Sequence, residues 1–298
     1  MTALPHARWR SPALATPGEL DLPHGRLGYF DAGGGPAIVF VHGLLVNANL
    51  WRKVVERLAL RFRCIALDMP LGSHLVPVGP QADLTPPGVA GLIGEALEAL
   101  DLSEATLVGN DTGGALCQIL VAGRPDRVAR LVLTSCDYRD NFPPPAFRPL
   151  KGLVRIPGAT QAVLSLLRPR APRRLPLVFG WLTKRPIDRE AEDSYLYPSI
   201  VDAAVRADLR RFLPAIHPRY TRDAADRLPA FDRPALIAWS AEDRFFPRRH
   251  AEALARTLPD ARLEWIEDSY TFSPEDQPQR LAELIGDFTR ASGGRGRG

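Results

Sequence analysis

The chain has 298 residues, of which 45% are hydrophobic, 24% charged and 8% aromatic, an ordinary globular composition that excludes wholesale disorder. Arg, Asp, Gly or Pro interrupts every apolar stretch before it reaches the roughly 20 residues of a membrane-spanning helix, which excludes an integral membrane protein. The net charge is +4, and the one basic concentration, Arg168 to Arg174 with Lys184 and Arg185 beyond, is broken by prolines and lacks a nucleic-acid module.

Pro5, Pro12 and Pro17 split the apolar pieces of the N-terminus, so the continuous core of a secretory signal is missing and a cytoplasmic location is expected. From Gly25 onward short apolar runs alternate with amphipathic stretches, the rhythm of strand–helix units on a largely parallel sheet. Ala37 to Val41 reads as a buried strand. Leu50 to Leu60 follows as a helix with Leu50, Val54 and Leu58 on one face, then Arg63 to Leu67 as a strand. Val89 to Leu100 is a predicted helix, Ala105 to Gly109 a strand, Gly114 to Ala122 a helix and Leu131 to Thr134 a strand. Between about Asp137 and Asp232 the rhythm breaks: prolines are dense and the pieces read as short helices, as expected of an insert. The pattern resumes with strand Ala235 to Trp239, a helix from about Arg249 to Leu258, strand Arg262 to Ile266 and a last helix from about Gln277 to Thr289. The predicted organisation is an extension over 1–24, a core over 25–136 and 233–290, a helical cap over 137–232 inserted after the sixth strand, and a Gly-rich disordered tail over 291–298.

Gly109-Asn110-Asp111-Thr112-Gly113-Gly114, between a strand and an apolar helix, fits G-x-nucleophile-x-G with Asp in the nucleophile position. Small neighbours are needed where a strand passes directly into a helix, because the central residue is then held in strained backbone geometry with its side chain above the sheet. An ordinary turn with Asp111 capping the helix is the alternative. At the end of the strand Ala37 to Val41, His42-Gly43-Leu44 can place the Leu44 N–H opposite that of Thr112, making a two-donor pocket for a developing oxyanion. His42 reads as a brace of that loop and, with Asn110 and Trp51, as a candidate substrate contact. Glu242-Asp243 places a carboxylate at another strand end.

With these elements in this order, the sequence resembles the α/β-hydrolase fold superfamily over about Gly25 to Thr289. The resemblance is nearest to the members with an Asp nucleophile, the haloalkane dehalogenases and epoxide hydrolases. It implies a mostly parallel sheet flanked by helices, a covalent ester on Asp111, and a histidine-activated water that hydrolyses it with Asp243 in support. The sequence departs from that pattern where the histidine is expected: the text reads Ile266-Glu267-Asp268-Ser269-Tyr270-Thr271-Phe272, with Tyr270 taken to stand at the histidine position. His74, after the loop Asp68 to Ser73, is the first candidate to replace it, with a loop-bracing role as its alternative. The halide-holding Asn and Trp of the dehalogenases correspond to Leu44 and Thr112. Cap tyrosines protonate the epoxide oxygen in epoxide hydrolases, which makes Tyr195 and Tyr197 candidates here.

The sequence carries no phosphate loop and no metal-ligand cluster, so no cofactor and no metal are expected. Cys64, Cys117 and Cys136 read as buried reduced thiols. The expected partner is a small-molecule substrate with no nucleic acid and no membrane, the chain acting as a monomer or homodimer. An anionic surface or substrate for the Arg-rich segment stays open. Three functions compete: a hydrolase of an ester, epoxide or related bond; a lyase, isomerase or cyclase using Asp111 as acid or base; and a non-catalytic binding protein on the same scaffold.

Overall fold

The computed structural model describes residues 6–293. Eight strands form one sheet: β1 (Thr16–Leu22), β2 (Gly25–Ala32), β3 (Ala37–Val41), β4 (Arg63–Asp68), β5 (Ala105–Asp111), β6 (Val128–Cys136), β7 (Ala235–Ser240) and β8 (Ala261–Ile266). Their order across the sheet is β1-β2-β4-β3-β5-β6-β7-β8, and every pair from β4 onward is parallel, while β2 runs antiparallel to both neighbours. This is the α/β-hydrolase arrangement expected. β1 lies upstream of the expected start of the core; its residues alternate between exposed and half-buried, the pattern of an edge strand with one wet face, and so carry no apolar run to announce it.

The central strands are apolar throughout because both faces are covered, and their side chains divide by the two-residue period of a strand. Val39, Val41, Ile65, Leu67, Leu107, Leu131, Leu133, Ile237 and Trp239 belong to one core; Ile38, Phe40, Ala66, Val108, Val132, Leu236 and Ala238 belong to the other. Helices α1 (Arg52–Leu58), α2 (Pro86–Ala99) and α3 (Thr112–Gly123) connect the first parallel strands. The expected face of α1 holds, since Leu50, Val54 and Leu58 are all buried. α2 begins three residues before the expected start: the Thr85 hydroxyl accepts from the Gly88 N–H, and Pro86 at the first helical position needs no partner for its missing N–H.

After β6 comes a helical insertion, α4 (Leu150–Leu153), α5 (Ala159–Leu166), α6 (Arg189–Val201), α7 (Ala203–Ala215) and α8 (Pro218–Arg227). The chain then returns to the sheet through β7, α9 (Arg248–Thr257), β8, α10 (Ser273–Asp276) and α11 (Pro278–Gly293). Residues 291–293, expected to be disordered, end α11, and 294–298 lie outside the described residues. The three cysteines are buried and unpaired. No helix among the described residues is long and apolar enough to cross a membrane.

Candidate active site

Asp111 ends β5 and precedes α3 with φ 54° and ψ −130°, a conformation that non-glycine residues adopt only when their surroundings impose it. The imposition comes from close approach of the β5–α3 turn to the loop after β3. A Cβ on Gly113 would collide with the carbonyl oxygens of Val41 and His42, and one on Gly43 would lie 2.6 Å from both Cβ and Cγ of Asp111. With glycine at both positions, the Leu44 N–H donates to Asp111 Oδ2 at 3.2 Å. Asp111 therefore projects above the carboxyl ends of the strands, at the N-terminus of a 12-residue helix.

It lines a cavity of about 210 Å³ between sheet and insertion. Apart from Asp111 and Thr112 the wall is apolar: Leu44 and Phe246 come from the core, Leu164, Val178 and Leu182 from the insertion, and among the described residues no Lys, Arg or His contributes. Removal from water pushes the Asp111 carboxyl up to about 7, against the pull of the Leu44 and Thr112 N–H groups, with the negative charge of Asp243 adding to the rise.

Two more carboxyls are buried beside it. Asp243 Oδ1 accepts from the N–H groups of Phe245 (2.8 Å) and Phe246 (2.7 Å) and from the Thr271 hydroxyl (3.2 Å). Its Oδ2 is buried without a hydrogen bond, the Ser135 hydroxyl lying alongside. Burial raises its pKa to about 6. Asp137, just past β6, was not expected from the sequence. It is buried, accepts from the Thr112 hydroxyl at 3.4 Å, and is pushed well above the usual carboxylate range by burial and then by the charge of Asp111. Its position at a strand end, the same signal that marked Asp243, could have revealed it.

The other sequence candidates separate from this cluster. Tyr270 is half-buried with its phenol turned outward: its hydroxyl accepts from Arg244 at 3.0 Å, and its ring carries the Arg244 and Lys184 cations at 5.1 and 5.5 Å. The neighbouring residue, Thr271, is the one directed at Asp243, its hydroxyl donating to Oδ1 at 3.2 Å. His74 is fully buried, and its Nε2 meets Asp208 of α7 at 3.1 Å, so it fastens the loop after β4 to the insertion instead of reaching Asp111. His42 braces its loop and, against the expected substrate contact, does not line the cavity: Nδ1 lies 2.8 Å from the Gly43 carbonyl, and Nε2 accepts from the Met69 N–H at 2.8 Å. Burial lowers its pKa to about 4, so the ring is neutral.

Asn110 donates to the Thr134 hydroxyl and the Thr271 carbonyl, both at 2.8 Å, and so fixes the Asp243–Thr271 corner from below the site. Trp51 is buried against Phe40, with ring centroids 5.0 Å apart. The Tyr195 hydroxyl donates to Glu275 at 3.2 Å, and that of Tyr197 accepts from Arg173 at 3.2 Å. None of these four lines the cavity. One further carboxylate organises the rim: buried Asp276 accepts from the N–H groups of Lys184 (3.0 Å), Arg185 (2.9 Å) and Tyr270 (3.0 Å) and from the Thr183 hydroxyl (2.7 Å). Among the described residues no group of three or more His, Cys, Asp or Glu could hold a metal ion.

A family model described as the alpha/beta hydrolase fold matches residues 36–278. The uncharacterized protein Rv2715 of Mycobacterium tuberculosis is 30% identical over 271 residues, covering 86% of this chain and 76% of that protein. Haloalkane dehalogenase 2 of the same organism is 28% identical over 274 residues, covering 89% of this chain and 92% of the relative. Among solved structures, the haloalkane dehalogenase DbeA from Bradyrhizobium elkani superposes with a TM-score of 0.75 at 20% identity, over 94% of this chain and 99% of that one, a likeness of fold.

Proposed function

Since the chain belongs to the α/β-hydrolase fold family, we propose that it is a hydrolase of a small, mainly apolar molecule, acting on an ester, epoxide or related bond with Asp111 as nucleophile. The observation that carries this reading is the Asp111 carboxylate itself, held at φ 54° with one oxygen on the Leu44 N–H and opening into an apolar cavity. In the first step Asp111 Oδ1 bonds to a substrate carbon. The bond to the leaving oxygen breaks, and that oxygen keeps the electron pair and takes a proton from solvent. Oδ2 thereby becomes the carbonyl oxygen of an ester. When water adds to Cγ, the charge that develops on Oδ2 meets the N–H groups of Leu44 and Thr112.

With Thr271 beside Asp243 and no imidazole in the cavity wall, Asp243 receives the water's proton directly. A carboxyl with a pKa of about 6 is ionised at neutral pH yet basic enough for that task. Collapse of the tetrahedral intermediate breaks the Cγ–Oδ1 bond, and Oδ1 leaves on the substrate carbon as a hydroxyl, taking up this proton. Asp111 is then restored with one oxygen derived from water. A halide leaving group fits less well, since Leu44 offers it no side-chain donor and the Thr112 hydroxyl is engaged by Asp137. The Tyr195 and Tyr197 hydroxyls, bound to Glu275 and Arg173, are not placed to protonate an epoxide.

A second reading is favoured by the pKa of about 7 at Asp111: the same carboxyl moving a proton in a lyase, isomerase or cyclase reaction. Multiple turnover in oxygen-18 water decides between the two. Once a panel of alkyl esters, epoxides and lactones has supplied a substrate, the hydrolase reading requires label in the Asp111 peptide. Sustained turnover without label assigns the carboxyl to proton transfer.

A further inference from the structure

From Asn141 to Ile187 the chain has nine basic and no acidic residues, within a protein whose whole charge is only +4. This stretch makes up the first half of the insertion. It also holds six of the eight large apolar side chains that are exposed among the described residues: Ile156, Val163, Leu166, Leu175, Leu177 and Trp181. Exposure of this extent at neighbouring positions is unusual for apolar side chains facing water: Leu166 is 72%, Leu175 55% and Leu177 53% exposed. Two of the six, Val163 and Leu177, also line the cavity above Asp111, so the exposed apolar face runs into the cavity mouth.

The charges around this face are available. Arg148, Arg155, Arg168 and Arg174 are exposed, and none is in a salt bridge with a described acidic residue; the only side-chain hydrogen bonds they make are those of Arg148 and Arg174 to backbone carbonyls. Arg168 follows Leu166 by two positions and Arg174 directly precedes Leu175, so cation and apolar side chain alternate along the chain. Apolar residues that enter a low-polarity layer, interleaved with guanidinium groups that meet negative charge at its boundary, are the two components of binding to an anionic membrane surface.

We propose that this face of the insertion docks on an anionic lipid bilayer without spanning it, and that the cavity takes its apolar substrate from the lipid side. This replaces the expectation of no membrane partner with a surface contact. It does not depend on whether Asp111 acts as nucleophile or as acid–base group.

The test is co-sedimentation of the full chain with vesicles of phosphatidylglycerol and phosphatidylcholine in equal parts, compared with phosphatidylcholine alone. Binding is expected to the anionic vesicles, weakening as salt is raised from 0.05 to 0.5 M. The double variant R168Q/R174Q is expected to lower the partition coefficient by about 25-fold, at about fivefold for each charge removed near the surface. L166D is expected to lower it at unchanged net basic excess elsewhere. Trp181 is the reporter, its emission shifting to the blue on anionic vesicles in the wild type; W181F removes that shift. Circular dichroism controls for folding of each variant. Equal binding to both vesicle types, no binding to either, or binding unaffected by both sets of substitutions overturns the proposal. So does a dimer in sedimentation velocity that L166D converts to monomer, because the face would then be covered by a second copy.

Discussion

Replacing Asp111 by Asn is expected to stabilise the protein at alkaline pH while abolishing turnover. In the folded chain the carboxyl titrates at about 7, against an ordinary value of 3.8. Because the folded pKa is the higher one, the folded state binds more protons than the unfolded state between these values, and stability falls as pH rises through that window. Below pH 4 both states are protonated and the effect vanishes; above pH 7 it is complete. The slope within the window is about 1.4 kcal/mol per pH unit, so the burden grows by roughly 3 kcal/mol between pH 5 and 8. Asparagine carries no charge to bury and, like the protonated carboxyl, accepts from the Leu44 N–H as a neutral group. Urea unfolding of wild type and D111N at pH 5 and pH 8 should therefore show the variant gaining on the wild type by roughly 3 kcal/mol across the interval. The same gain at both pH values, or a variant that falls further behind at pH 8, would refute a carboxyl held in a desolvated site.

Two further outcomes follow from the geometry. If ionised Asp111 is the attacking group, log(kcat/KM) should rise with pH through about 7 and level off above it, because burial places the ionisation there; a rate that falls through pH 7 would mean that the protonated carboxyl is the working form. Gly43→Ala should reduce kcat by at least about 100-fold, since the new methyl would sit 2.6 Å from Asp111 Cβ and Cγ and must displace the carboxylate from the Leu44 N–H. Overpacking there should also destabilise by about 1–3 kcal/mol, read in the same urea experiment; full activity in G43A would show that the close approach is unimportant.

The parallel sheet was readable because its strands are continuous apolar runs joined by amphipathic helices, and the β5–α3 turn because a direct strand-to-helix passage demands small residues on both sides of Asp111. Edge strand β1 was not, since alternation between half-buried and exposed positions leaves little hydrophobic contrast. At the corner after β8, the resemblance placed Tyr270 at the family's histidine position. Only the path of the backbone decides that its neighbour Thr271 faces Asp243 while the phenol meets Arg244 outside. His74 follows the end of β4, but its partner Asp208 lies 134 residues away in α7, and no local pattern announces a contact of that range. Asp137 escaped for a related reason: a lone Asp after a strand reads as an ordinary loop residue until a second buried carboxyl is found beside it.

Asp276 gives the site its mechanical character. By gathering the Thr183 hydroxyl and the N–H groups of Lys184, Arg185 and Tyr270 onto a single side chain, it rivets one stretch of the roof to the segment that carries Thr271. The roof cannot swing as a door on that side without dragging the Asp243–Thr271 corner with it. Passage of a guest molecule is then left to side chains that can yield one at a time, such as Val163 and Leu177 at the mouth, and the chemistry beneath stays aligned while they do.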